Sequence, residues 1–174
     1  MMRYRLIAFI LAAAIAAGIG SFMIVSNRAA ASQVVSQTDE GTTYLVHNAS
    51  DAASVAGFKL VDVSSPNNLS APDRIFVQKS NDGSHIMVQR SWTDPTSHGA
   101  IILYQESVQD HVNNGTKQTI AGKSGETAFY TGSGDVPNRT VFTWERGTGS
   151  VSVFAVLDGA VNRQVFDDFI SSVR

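Results

Sequence analysis

The chain has no cysteine, which excludes disulfides, thiolate metal sites, a cysteine nucleophile and a lipid-modified cysteine together. It also lacks any cluster of Lys and Arg. Of 13 basic residues, Arg3, Arg5 and Arg28 flank an apolar segment, so the rest of the chain carries ten against 15 acidic residues. Phosphate neutralisation needs clustered cations, and this balance excludes nucleic acid as a partner. Charge as a whole is scarce at 16%, partly because no ionisable residue occurs between Leu6 and Val25.

That segment, LIAFILAAAIAAGIGSFMIV, has Ser21 as its only polar member. At about 1.5 Å per residue its twenty residues make a helix about as long as the 30 Å hydrocarbon core of a bilayer. Leu6, Ile10, Ile15, Ile19 and Val25 are thus expected to span a membrane. Arg3 and Arg5 precede the span and Arg28 follows it, which puts the N-terminus in the cytoplasm and the remainder outside. Ala29-Ala30-Ala31 offers a cleavage-site alternative, in which the domain is secreted or periplasmic. The order read from the sequence is a membrane anchor over 1–28, a flexible tether over 29–47 and one extracytoplasmic α+β domain over 48–174.

Within that domain, Asn48 or Ser50 is placed to cap a short helix that Gly57 ends. Period-two alternation then predicts strands over Phe58–Val63, Arg74–Gln78, His85–Trp92, Ala100–Glu106, Lys117–Ile120, Glu126–Tyr130, Thr140–Glu145 and Ser150–Leu157. The expected sheet is antiparallel with about six to eight strands. Asn81-Asp82-Gly83 and Arg146-Gly147-Thr148-Gly149 read as hairpin turns. Ile86, Val88 and Trp92 share one face, with Arg90 the polar exception among them. Val161, Val165, Phe166, Phe169, Ile170 and Val173 recur at helical spacing, so a C-terminal amphipathic helix and the short N-terminal one are expected on one face of the sheet.

Chemistry is poorly signalled. Gly122-Lys123-Ser124 lacks the preceding glycine of a phosphate loop and leads into a strand, so it reads as a turn. His47, His85, His98 and His111 have no metal-ligand spacing, and no nucleophile elbow is present, so no catalytic, cofactor or metal residue is assigned. Asp167 and Asp168 fall on the outer face of the terminal helix, as solvated carboxylates commonly do. Sequons begin at Asn48, Asn68, Asn114 and Asn138 and matter only in a glycosylating host. Trp92, Tyr104, Tyr130 and Trp144 are the candidate ligand or partner surface, against a reading as ordinary core aromatics.

The order of an Ala-rich helix, Gly57-Phe58-Lys59-Leu60, Ile102-Leu103-Tyr104-Gln105-Glu106, Thr119-Ile120-Ala121-Gly122, Thr127-Ala128-Phe129-Tyr130, Phe142-Thr143-Trp144-Glu145 and Phe166-Asp167-Asp168-Phe169-Ile170-Ser171-Ser172-Val173 resembles a domain family of unknown function. That family is found outside the membrane in bacterial single-pass proteins, often near anti-sigma-factor-like segments. In outline it is similar to periplasmic stress-regulator and lipoprotein-carrier domains. The resemblance implies an extracytoplasmic binding or sensing domain and carries over no catalytic residue; the five residues before the span leave no room for a cytoplasmic sigma-binding domain.

The expectation is a non-enzymatic, membrane-tethered domain acting on a protein or envelope component. The alternatives are a small-molecule or lipid-binding domain with a cavity between sheet and helix, and an envelope hydrolase. Full-length chain is expected in the membrane fraction after alkaline carbonate extraction; recovery of intact chain in the cytosolic fraction removes the anchor.

Overall fold

A computed structural model describes residues 32–64, 69–72, 74–93, 100–109, 112, 115–131, 139–156 and 163–174. The chain divides into units 1–30 and 31–174; the first, with the expected span at Leu6–Val25, lies outside the described residues, and the second is described below. Among the described residues no helix is long and apolar enough to cross a membrane.

Among the described residues the second unit is α+β, with a nine-stranded antiparallel sheet and two helices. Strands β1 (Gln33–Gln37) and β2 (Gly41–Val46) are followed by helix α1 (Ala49–Ala56), then β3 (Ile75–Ser80), β4 (Ile86–Thr93) and β5 (Ala100–Glu106). After these come β6 (Thr116–Ile120), β7 (Lys123–Tyr130), β8 (Arg139–Arg146), β9 (Gly149–Val156) and helix α2 (Arg163–Ser172). The order across the sheet is β1-β2-β3-β4-β5-β9-β8-β7-β6, two meanders joined where β5 pairs with β9.

Local chemistry fixes the ends of several elements. Asn48 Oδ1 accepts from the Asp51 N–H at 2.9 Å, capping α1, and Gly57 closes the helix at φ 80 by donating its N–H to the Ala53 carbonyl at 2.8 Å. Between β3 and β4, the exposed Asp82 carboxylate accepts from the Ser80 hydroxyl at 2.6 Å and from the Ser84 N–H at 3.0 Å. These donors, Ser80 first, hold its pKa down at about 2. The β8–β9 hairpin turns at Gly147 with φ 63.

Register settles which side chains share a face. On the first face, Trp92 lies opposite Ile101, Ile101 opposite Ala155, and Val153 opposite Phe142. These residues join Trp144, Phe166, Phe169 and Ile170 in one buried cluster, sealed by α2. A second cluster on the same face, covered by α1, comprises Val46, Ala52, Ala56, Leu60, Ile75, Val77 and Val88. Both helices therefore cover one face, with the C-terminal stripe buried as its spacing requires.

Three readings are corrected. The span 29–47 is not simply a tether, because Gln33–Gln37 and Gly41–Val46 are strands, joined by a turn in which Thr38 Oγ1 accepts from the Gly41 N–H at 3.3 Å. The strand number rises accordingly to nine. Phe58–Val63 is not a strand of the sheet: residues 59–64 form an extended strap over the first face, where the backbone groups meet other partners.

Gln105 Oε1 accepts from the Val61 N–H at 2.8 Å, Gln105 Nε2 donates to the Lys59 carbonyl at 2.9 Å, and Arg90 Nη2 donates to the Val61 carbonyl at 2.9 Å. Further along, Asp62 and Arg174 exchange backbone hydrogen bonds, and Val63 bridges to Val173. Arg90 is the apolar-face exception expected from the sequence; it is buried, with its guanidinium 5.5 Å from the Trp92 ring centre. Burial lowers its pKa to about 10 against the opposing Asp62 carboxylate, so it stays charged at neutral pH. Gln105→Leu leaves the buried Val61 N–H unpaired, at a cost of about 1–3 kcal/mol, and also removes the bond to the carbonyl of the exposed Lys59. Urea unfolding of this variant is expected to show a loss of about 3 kcal/mol; an unchanged midpoint would mean that the strap does not depend on these bonds.

Candidate functional site

The four aromatics singled out from sequence do not form one surface. Trp92 and Trp144 belong to the first-face core, Trp92 edge-on to Phe169 at 4.9 Å and Trp144 stacked on Phe142 at 5.5 Å. They fill the space between sheet and α2 in which a ligand cavity would have to lie, and Phe166, Phe169 and Ile170 are fully buried there. Tyr104 and Tyr130 lie on the opposite face, Tyr104 edge-on to Phe154 at 5.1 Å. The surface expected of Trp92 and Trp144 is thus corrected to core, because α2 covers their face.

Gly122-Lys123-Ser124 begins at a hairpin turn, with Ala121 at φ 50 and Gly122 at φ 76 and Ile120 pairing with Lys123. His85 Nε2 lies 2.8 Å from Glu106 Oε2 in a half-exposed pair, and His98 and His111 lie outside the described residues. Among the described residues no group of three or more His, Asp and Glu side chains is placed to hold a metal ion.

Among the described residues a concave feature lies on the second face, over β6, β7 and β8. Lys117 pairs with Glu126, and Glu126 with Thr143. Two residues along, Thr119 pairs with Ser124, and Glu145 is the next second-face position of β8 after Thr143. These six residues border a wide-mouthed depression of about 600 Å³ whose remaining lining is Gln118, Gly125 and Trp144. Those three alternate with the six along their strands, so they contribute floor rather than second-face side chains.

On the middle strand β7 stand Ser124 and Glu126, flanked by Thr119 and Lys117 on β6, with Thr143 beside Glu126 on β8. Gly125 is required there, because a Cβ would collide with the Thr143 carbonyl where β7 and β8 approach. Thr143 Oγ1 and Ser152 Oγ lie 2.9 Å apart and Thr119 Oγ1 and Ser124 Oγ 3.3 Å apart, so each hydroxyl is oriented by another. Glu126 Oε2 accepts from the Val112 N–H at 3.2 Å, while Lys117 and Glu145 are exposed. Chemically the site offers hydroxyls, carboxylates and an ammonium in two short rows across three strands.

Sequence reading missed this group because its polarity resembles that of any solvent face. The available signal was polar pairs at 117/119, 124/126 and 143/145, meaningful only once register sets them side by side. Beyond it the same row continues through Ser152 to Tyr104. Burial, assisted by Glu106 and opposed by Arg139, pushes the Tyr104 phenol up to about 12.

No protein-family model, curated protein or solved structure matches the chain. The family resemblance over Asn48–Arg174 therefore rests on its motifs alone.

An ultraviolet phenolate titration is expected to show one tyrosine ionising near pH 12, a step that Tyr104→Phe removes. Because the folded pKa lies above that of the unfolded chain, stability is full below about pH 10 and falls as pH rises towards 12. A single transition near 10 for every tyrosine contradicts this.

Proposed function

We propose that the chain is a binding domain tethered to a membrane and displayed on its outer side, and that it engages a component of the cell envelope through the second face of its sheet. The observation carrying this reading is the depression of about 600 Å³ over β6, β7 and β8, on the face opposite both described helices. Ligand sites are concavities in which a few placed polar groups fix the orientation of what binds. Here they project from strands, which hold them more rigidly than a loop would.

The topology rests on Leu6–Val25, an apolar run long enough to span, with Arg3 and Arg5 on its cytoplasmic side. A domain held there meets envelope material at high effective concentration, so a modest intrinsic affinity suffices. Packing of Phe166, Phe169 and Ile170 against the sheet argues against the alternative of a ligand held beneath α2.

Full-length chain in lipid nanodiscs is expected to sediment with a purified, insoluble cell-wall fraction. Ser124→Tyr, which fills the depression from an exposed position, is expected to weaken that association about tenfold, equivalent to about 1.4 kcal/mol. Equal sedimentation of both proteins, or none of either, overturns the proposal.

A further inference from the structure

The sheet ends on β1 at one side and on β6 at the other, and the two end strands are unlike. Among the described residues no strand pairs with the outer side of either. A strand in that position presents a row of unsatisfied N–H and C=O groups, and folds commonly guard it with Lys, Pro or a bulge. β6 carries Lys117, which is exposed. β1 reads Gln-Val-Val-Ser-Gln, with no charge and no proline.

Two further features mark β1. Val34 is 52% exposed, one of three large apolar residues left so open among the described ones. The register with β2 passes from Val34 opposite Tyr44 to Ser36 opposite Thr43, so Val35 faces no β2 residue. Such a bulge twists an edge, yet it also leaves main-chain groups in the middle of the strand that β2 does not use. A strand laid along the outer side of β1 would cover Val34 and pair that main chain.

The chain itself supplies that strand. Only residues 26–32 lie between Val25, where the expected span ends, and Gln33, a stretch of at most about 28 Å. Copies inserted in one membrane through the same span and the same short connection hold their β1 strands within one thin layer, at a high effective concentration. The sequence of β1 is nearly the same in both directions, so reversing it against a second copy opposes no like charges. A two-fold axis crossing the strand gives that arrangement, and each copy then closes the open edge of the other. A strand pair this short buries less than a stable interface in free solution needs, so the association depends on the tether.

We propose that β1 is a self-association edge, at which two membrane-anchored copies pair β1 antiparallel to β1 and join two nine-stranded sheets into one. The inference rests on the membrane-tethered reading above and not on the depression over β6, β7 and β8.

Because the chain has no cysteine, single introduced cysteines report the contact without background. Full-length Gln33→Cys, Val34→Cys, Val35→Cys, Ser36→Cys and Gln37→Cys, with Lys117→Cys on β6 as control, are reconstituted in vesicles of phosphatidylethanolamine and phosphatidylglycerol and oxidised with copper phenanthroline. Disulfide-linked dimer on a non-reducing gel is expected to peak at Val34→Cys, Val35→Cys or Ser36→Cys. Gln33→Cys and Gln37→Cys are expected to give little, because antiparallel pairing carries each far from its own copy and disulfides do not bridge Cα atoms more than about 7 Å apart. Gln33→Lys with Gln37→Lys, both at exposed positions, is expected to lower the peak yield about tenfold by setting like charges across the pair.

Equal yield along the strand, a maximum at either end, as much dimer from Lys117→Cys, or a yield unmoved by the two charge substitutions overturns the proposal. Chain that floats with the vesicles but gives no central disulfide overturns it too and leaves the tethered binding domain standing, whereas chain that does not float removes the tether and the pairing together.

Discussion

The arrangement of the domain depends on two polar side chains buried beneath an extended strap. Arg90 on β4 and Gln105 on β5 project from the same face and between them bond the backbone of Lys59 and Val61. The strap separates two hydrophobic groups, with Leu60 entering the one beneath α1 and Val61 the one beneath α2. Burying an arginine and a glutamine costs free energy unless their polar atoms are matched. Both ends of the Gln105 amide are matched by main chain, Arg90 is matched through Nη2 while its buried Nε has no hydrogen-bond partner, and the nearby Trp92 ring adds a cation–π contact. An apolar pair at these positions would bury area equally well and leave the buried main-chain groups of the strap unpaired.

Once the strap is fixed, the asymmetry of the sheet follows. The strap runs alongside residues 172–174 and ties the end of α2 to the segment after α1, so both helices stay on the first face. The second face then needs no apolar stripe across its whole width, and around Lys117, Thr119, Ser124, Glu126, Thr143 and Glu145 it carries hydroxyls and charges instead. Core constraints on one face leave the other free to be polar where the depression lies.

Features written within a few residues were legible in the sequence: the Asn48 and Gly57 caps, the turns at Asp82 and Gly147, and the stripe of Phe166, Phe169 and Ile170. Each has a local physical cause. The strap was not legible as a strap, since alternation over Phe58–Val63 is the same whether the partner is a strand or two side chains some 29–46 positions away. Strands β1 and β2 were hidden by their Ser, Thr and Gln content, which resembles a linker until β2 is seen pairing with β3. Trp92 and Trp144 carried no mark of which face they would occupy, and the candidate site appeared only when register aligned three polar segments.

Gly125 shows how fold and site are joined. The residue lacks a side chain where β7 and β8 lie so close that a Cβ would strike the Thr143 carbonyl, which is a constraint of the sheet. The same residue lines the floor of the depression, between the Glu126–Thr143 row and the Ser124–Glu145 positions. A substitution there would push the two strands apart and spoil both the pairing and the spacing of the polar rows. The backbone geometry that lets the sheet continue through β7 therefore also sets the distances between the groups available to a ligand, and a site of this kind is inherited from the sheet rather than added to it.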